Sequence, residues 1–333
     1  MQTALETYVR LRRRTSCSVI EGLCTGLANA GRIYPAIRLE KYGVRVSRNV
    51  PYTTTGRTSH LLDVYRPRHR SGPLPVCLYV HGGGFRILSK DTHWLMGLIF
   101  ALQGYVVFNI NYRLAPRHPF PAALEDTCDA FAWVARNAAR YGGDPERMVL
   151  AGESAGANLI TALTVALCYD RPEDFARRAR AAGVLPRAVV AACGILQVSD
   201  CERFSRRHRL PPFVRDMFQE ISESYLPPDP YAAPQTRELA DPLLVLESGR
   251  RPDRKLPVFF APVGARDVLL DDTRRLRSAL RKLGAVCEAP IYSGELHAFL
   301  AYVWRKSAKV CWKTLFDFLS GHLHELKQAV SAA

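Results

Sequence analysis

The apolar run Met148-Val149-Leu150-Ala151 stops at Gly152-Glu153-Ser154-Ala155-Gly156. A strand that ends on a serine with glycine two residues to either side has few ways to continue. It must turn tightly into a helix and pass close to its neighbours, because glycine is placed where a side chain would collide. Such a turn lifts the Ser154 hydroxyl above the carboxyl edge of a sheet. The following segment, helical by composition over 158–167, then presents its N-terminus to that hydroxyl.

The same alternation runs along the chain. Strands are expected near 43–50, 59–65, 76–80, 106–110, 147–152, 188–192, 257–263 and 285–291. Helices are expected over 91–103, 121–140, 271–283 and 298–323. The run Val76-Cys77-Leu78-Tyr79-Val80 is short, apolar and bounded by Pro75 and His81-Gly82, which marks a strand buried on both faces. Strand, helix and strand in succession predict an α/β fold with a mostly parallel sheet and helices on both sides. With 48% hydrophobic and 23% charged residues, the 333-residue chain has material for one large core.

One stretch breaks the rhythm. Residues 199–240 carry Pro211, Pro212, Pro227, Pro228, Pro230 and Pro234 among aromatics, and are far longer than an ordinary connection. They are expected to form a cap with a helical N-terminal arm at 1–40, over a catalytic domain of 41–198 and 241–333.

The net charge of +15 raises the question of nucleic acid. The arginines are spread among acidic residues, and the clusters Arg12-Arg13-Arg14 and Arg206-Arg207-His208-Arg209 come with no nucleic-acid-binding motif. An Arg-biased surface is the reading, with no nucleic-acid partner. Nine cysteines, an odd number without a CxxC pair, point to free thiols in a reducing compartment, so a cytoplasmic location is expected. Glu21, Thr15, Ser16, Ser18 and Thr25 interrupt the apolar core that a signal peptide needs. No stretch reaches the ~20 consecutive apolar residues of a membrane span, so no stable membrane insertion is expected.

A serine hydroxyl is a weak nucleophile that needs a base, itself oriented by a carboxylate. Two loops supply them in the order Ser, Asp, His. Asp267 follows one expected strand, and His297 follows the next. Asp271 and Asp272 are rivals to Asp267, but they stand at a helix start where N-capping accounts for them. His60 and His69 come too early, His322 and His324 lie on the last helix, and His208 sits in the insertion. The fourth element is His81-Gly82-Gly83-Gly84-Phe85. The amides of Gly82, Gly83 and Gly84, with that of Ala155, can approach a developing oxyanion. The loop lacks the Lys-Ser/Thr or GxGxxG context of a phosphate cradle. These features together predict a serine hydrolase.

HGGGF at 81–85, YRLAP at 112–116, GESAGAN at 152–158, GARDVLLDD at 264–272 and GELHAF at 294–299 resemble the hormone-sensitive-lipase family of α/β-hydrolases, including the bacterial family IV esterases. The resemblance runs from about residue 40 to the end. It implies an eight-stranded, mostly parallel sheet with a helical cap, and a nucleophile at Ser154 with base His297 and acid Asp267. It further implies an oxyanion hole at Gly82, Gly83, Gly84 and Ala155, no cofactor or metal, and small ester substrates of short to medium chain length. Dimers through the last strand and helix are a family habit. Amide hydrolysis stays open, since arylacetamide deacetylases and arylformamidases are similar. So, remotely, does a non-catalytic receptor like that for gibberellin, which lacks the histidine present here as His297. Three positions depart from the family pattern: Glu153 where Asp is usual, Arg117 where Glu is usual, and Asp241-Pro242 where Ser-Pro is usual.

Overall fold

The computed structural model describes residues 39–207, 209–227 and 234–330, with residues 12, 15, 18, 19, 22, 25 and 26. The expected arm at 1–40 therefore lies largely outside the described residues; those positions described within 12–26 are helical.

Eight strands form one sheet: β1 (Val44–Pro51), β2 (Leu61–Pro67), β3 (Leu74–Val80), β4 (Val106–Ile110), β5 (Gly143–Glu153), β6 (Ala188–Ala192), β7 (Val258–Phe260) and β9 (Cys287–Glu288). Their spatial order is β1-β2-β4-β3-β5-β6-β7-β9. The β1–β2 and β2–β4 pairs are antiparallel and the rest are parallel. Every residue of β4 and β6 is buried, as expected for strands covered on both faces. Side-chain alternation divides the apolar interior in two. Val76, Leu78 and Val80 of β3 face helices α2 (Ala122–Asn137) and α3 (Ala155–Cys168). Cys77 and Tyr79 face α1 (Trp94–Leu102) and the last helix, α9 (Lys306–Val330).

The strands expected at 257–263 and 285–291 are each broken. Pro262 and Pro290 have no N–H to give to a ladder, and the backbone steps at both. Beyond the step, β8 (Val263–Gly264) and β10 (Ile291–Tyr292) pair in parallel as a separate two-stranded ribbon. The last helix begins at Lys306 rather than near 298. Residues 299–301 form a 3-10 turn whose Leu300 carbonyl accepts a hydrogen bond from Trp312 Nε1 at 3.0 Å. Three further helices are short: α4 (Asp174–Arg180), which packs on α2 and α3, α5 (Glu202–Arg207) and α7 (Pro242–Glu247).

The insertion contains α5 and α6 (Pro212–Tyr225), then a 3-10 segment at Pro234–Ala240. Its base is clamped by Asp241, whose Oδ1 accepts the amides of Val198 at 2.5 Å and Ser199 at 3.1 Å. The family departure at 241 thus closes the insertion where its two ends meet. Tyr225 stacks on Phe85 at 3.7 Å between ring centroids, and Glu220 pairs with Arg86 at 3.1 Å. Arg12 of the arm is ion-paired with Asp216 of α6.

The tightest crossing is where α3 leaves β5. A Cβ on Gly156 would lie 2.0 Å from the Val80 carbonyl oxygen of β3, and one on Gly152 would lie 2.7 Å from the same atom. Neither neighbour is a flexible side chain that can move aside. Gly156→Ala is therefore expected to destabilise the fold by about 3 kcal/mol, read as a lower urea midpoint with an unchanged m-value. An unchanged midpoint would show that the crossing relaxes freely.

Candidate active site

The β5–α3 turn holds Ser154 at φ 56° and ψ −116°, a conformation that non-glycine residues rarely adopt. Three backbone hydrogen bonds fix it there: Ser154 N–H to Ala192 O at 3.0 Å, Asn158 N–H to Ser154 O at 3.2 Å, and Ile195 N–H to Ser154 O at 3.3 Å. The loop from β8 carries Asp267 and the loop from β10 carries His297 to the same end of the molecule. Asp267 is buried, and its Oδ1 accepts the Leu269 amide at 2.9 Å. Its Oδ2 lies 2.9 Å from His297 Nδ1, which donates to it in the tautomer that leaves Nε2 as an acceptor. The His297 side chain is 43% exposed.

Ser154, Asp267 and His297 line one cavity of about 640 Å³. No hydrogen bond joins Ser154 Oγ to His297. The structure thus brings Asp267 and His297 into contact and places Ser154 on the wall of the same cavity. Catalytic contacts of this kind commonly tighten only around substrate.

Cys193, which sequence reasoning left among the scattered thiols, belongs to this site. It is buried at the end of β6 with φ 39°. Its Sγ, a carboxylate oxygen of Asp267 and a ring nitrogen of His297 all lie within 4.8 Å of one another. Sulfur, nitrogen and oxygen donors in one cluster are chemically able to hold a soft divalent ion. No local motif marks it: its place follows from the strand order, in which β6 lies between β5 and β7 and its end faces the loops that follow both. Burial pulls the His297 pKa down, but the Asp267 carboxylate and Cys193 outweigh it and hold the imidazole well above its ordinary 6.5.

The glycine loop is only partly as expected. The Gly82 amide donates to Glu153 Oε1 at 2.6 Å, so it is engaged and does not point at a reacting oxygen. The amides of Gly83, Gly84 and Ala155 make no hydrogen bond to another described residue. Gly83 has φ 107°, and a Cβ there would fall 2.2 Å from the Ile87 carbonyl oxygen.

Glu153, itself on the cavity wall, is the centre of a partly buried polar cluster. Besides Gly82 it binds His93 Nε2 at 2.7 Å and accepts from the Tyr79 hydroxyl. Burial alone would raise the Glu153 carboxyl, but His93, Tyr79 and the Gly82 amide lower it below the usual value. His93 is raised in turn, its burial outweighed by Glu153. The two therefore form an ion pair beside Ser154. His81 stacks between His93 at 5.5 Å and Tyr112 at 4.2 Å. Burial lowers its pKa to about 3, so it is a neutral ring that orders the loop through Nδ1 and the Gly82 carbonyl at 2.7 Å.

Other expectations need correction. Asp272 is not an N-cap: it is fully buried, and its Oδ2 accepts the Leu196 amide at 2.9 Å and Arg203 Nη2 of the insertion at 2.6 Å. Asp271 pairs with Arg274 at 3.8 Å. His60 is buried with Asp126 at 3.1 Å and lines no part of the cavity. His322 bonds the Phe318 carbonyl, while the side chains of His208 and His324 lie outside the described residues. Arg117 is exposed and away from the cavity; Arg113 instead holds Asp126 and Glu125.

The cavity spans both apolar layers. Phe100, Val190 and Trp312 line it on the α1 and α9 side, and Met217 and Ile221 of α6 roof it on the other. Arg86 is among its few polar walls.

Residues 77–301 match the family described as having an alpha/beta hydrolase fold. The carboxylesterase NlhH of Mycobacterium tuberculosis is 40% identical over 139 residues, which is 41% of each chain. The aligned part thus spans less than half of that relative's length. The versiconal hemiacetal acetate esterase of Dothistroma septosporum is 27% identical over 295 residues, covering 86% of this chain and 85% of that one. The crystal structure of esterase LipW from Mycobacterium marinum superposes with a TM-score of 0.71 at 23% identity, over 92% of this chain and 90% of that one.

The electrostatics of the site give a direct test. A nuclear magnetic resonance titration of the His297 imidazole is expected to show a midpoint above 6.5, falling toward that value in Asp267→Asn. A midpoint at or below 6.5 in the unaltered protein would contradict the pairing.

Proposed function

Because the chain belongs to the alpha/beta hydrolase fold family, in its hormone-sensitive-lipase-like branch, we propose that it is a serine carboxylesterase acting on short- to medium-chain esters. The observation that carries this reading is the 2.9 Å His297–Asp267 pair facing the cavity that Ser154 enters on its strained turn. The relatives' names, esterases of acetate and other esters, support ester rather than amide as the scissile group.

In the proposed mechanism His297 Nε2 swings to Ser154 Oγ when substrate fills the cavity and takes its proton. The oxygen attacks the ester carbonyl, and the resulting oxyanion accepts from the Gly83, Gly84 and Ala155 amides. His297 then protonates the departing alcohol, leaving an acyl-serine. Water repeats the cycle, with His297 again as base, and releases the acid. Asp267 holds the ring tautomer and stabilises the imidazolium. Glu153 acts one step back, by fixing Gly82 so that the two amides after it stand clear.

The arm and the insertion are proposed to form one cap, a reading supported by the Arg12–Asp216 pair. A reducing compartment is supported by the seven free cysteines among the described residues, six of them buried. No described helix is long and apolar enough to cross a membrane. The open edge at β9 and β10, with Val286 and Ile291 exposed, supports a homodimer through the last strand and helix.

Ser154→Ala is expected to lower kcat for p-nitrophenyl butyrate by about 10⁴-fold or more while the protein stays folded. Substantial residual turnover would mean a different nucleophile. Since the base works unprotonated and its pKa is raised, kcat/KM should climb with pH through a midpoint above 6.5. An acid limb at or below that value would remove His297 from the role.

A further inference from the structure

Single exposed apolar side chains are ordinary on a protein surface, but a cluster around an opening is not. Phe213, Leu296 and Tyr302 all line the cavity, yet they are 56%, 55% and 46% exposed. Trp304, 69% exposed, packs edge-on against Tyr302 at 5.5 Å between ring centroids. Three separate pieces of chain converge here: the start of α6, the turn that carries His297, and the segment leading into α9. The mouth of the cavity is therefore ringed by apolar groups that water covers.

The segments that form this ring carry cations and no carboxylates of their own. The segments 209–215 and 296–310 contain no Asp or Glu, and the exposed Arg209, Arg215, Arg305, Lys306 and Lys309 lie within them. Arg266 is exposed at the cavity wall. The carboxylates next to these segments in sequence or in contact are paired, and further along α6 Glu220 is paired with Arg86. Asp216 is held by Arg12, Asp267 by His297, and Glu295 by Arg305 at 3.0 Å. Aromatic rings with a polar edge, flanked by cations, suit the boundary between headgroups and acyl chains of an anionic lipid layer.

We propose that the mouth of the cavity, centred on Trp304 and Tyr302, docks reversibly on an anionic phospholipid surface, so that apolar esters pass from the lipid into the site without crossing water. The apolar ring supplies the burial and the flanking cations supply the attraction; no segment crosses the bilayer. The delivery of substrate rests on the esterase reading above, whereas the docking itself does not.

The test uses the full chain and vesicles of phosphatidylcholine, with or without phosphatidylglycerol. Flotation is expected to recover the protein with the phosphatidylglycerol vesicles only, less so as salt is raised, and with a blue shift in tryptophan emission. Trp304→Ser and, separately, Lys306→Glu are each expected to weaken partitioning about tenfold, and both should hydrolyse soluble p-nitrophenyl butyrate at the parental rate. Equal recovery with both vesicle types, or binding untouched by either variant, would overturn the proposal. So would a dimer at assay concentration that Trp304→Ser converts to monomer, since a second copy would then cover the ring. Binding is measured without substrate. Vesicle binding in a protein that hydrolyses nothing would sink the esterase reading alone, and hydrolysis without vesicle binding would sink the docking alone.

Discussion

The first turn of α3 can cross β3 only because position 156 has no side chain. With the Val80 carbonyl oxygen 2.0 Å from where a Cβ would stand, nothing larger fits, and everything at the carboxyl edge is arranged around that contact. It sets the angle at which β5 becomes helix, and hence the strained backbone of Ser154. It also brings the residues after Val80, the glycine loop, alongside the nucleophile. The helix dipole, the free amides and the serine are thus consequences of one steric exclusion rather than separate features.

Charge completes what sterics begin. The structure buries several carboxylates at the carboxyl edge of its sheet, and each joins two pieces of chain that the sheet alone would leave independent. Glu153 ties the nucleophile turn to the glycine loop through the Gly82 amide. Asp241 ties the two ends of the insertion through Val198 and Ser199. Asp272 ties the insertion to α8 (Leu270–Lys282) through Arg203. Removing a carboxylate from water is costly unless it is partnered, and each of these is met by backbone amides, histidine or arginine, although Oδ1 of Asp272 makes no hydrogen bond. The position of the insertion beside the cavity is thus specified by charge as well as by the Phe85–Tyr225 stack.

The strand–helix succession was legible because buried parallel strands read as short apolar runs and because GxSxG announces its turn. Ser154, Asp267 and His297 were legible for a related reason: each follows a strand, and parallel strands end on one side. What could not be read depends on partners distant in sequence. Asp272 has the local context of an N-cap, but its closest cation is Arg203, 69 positions earlier, at 2.6 Å, against 3.9 Å for the local Arg275. Gly82 has the context of an oxyanion donor until the extra methylene of Glu153, relative to Asp, is seen to reach its amide. Cys193 carries no motif at all; its place beside His297 follows from strand order, which local patterns do not encode. The breaks at Pro262 and Pro290 were visible as residues, but their effect depends on both prolines falling in neighbouring strands at the same level.

Those paired breaks have a mechanical consequence. Asp267 and His297 ride on the small β8–β10 ribbon, while Ser154 and the glycine loop ride on the large sheet. Asp267 and His297 are therefore carried by one piece of sheet, joined by their hydrogen bond, and Ser154 by the other. The join between the two runs past the cavity, so the spacing between imidazole and hydroxyl is set by how the ribbon seats on the sheet, where Cys193 N–H donates to the Pro262 carbonyl at 3.0 Å.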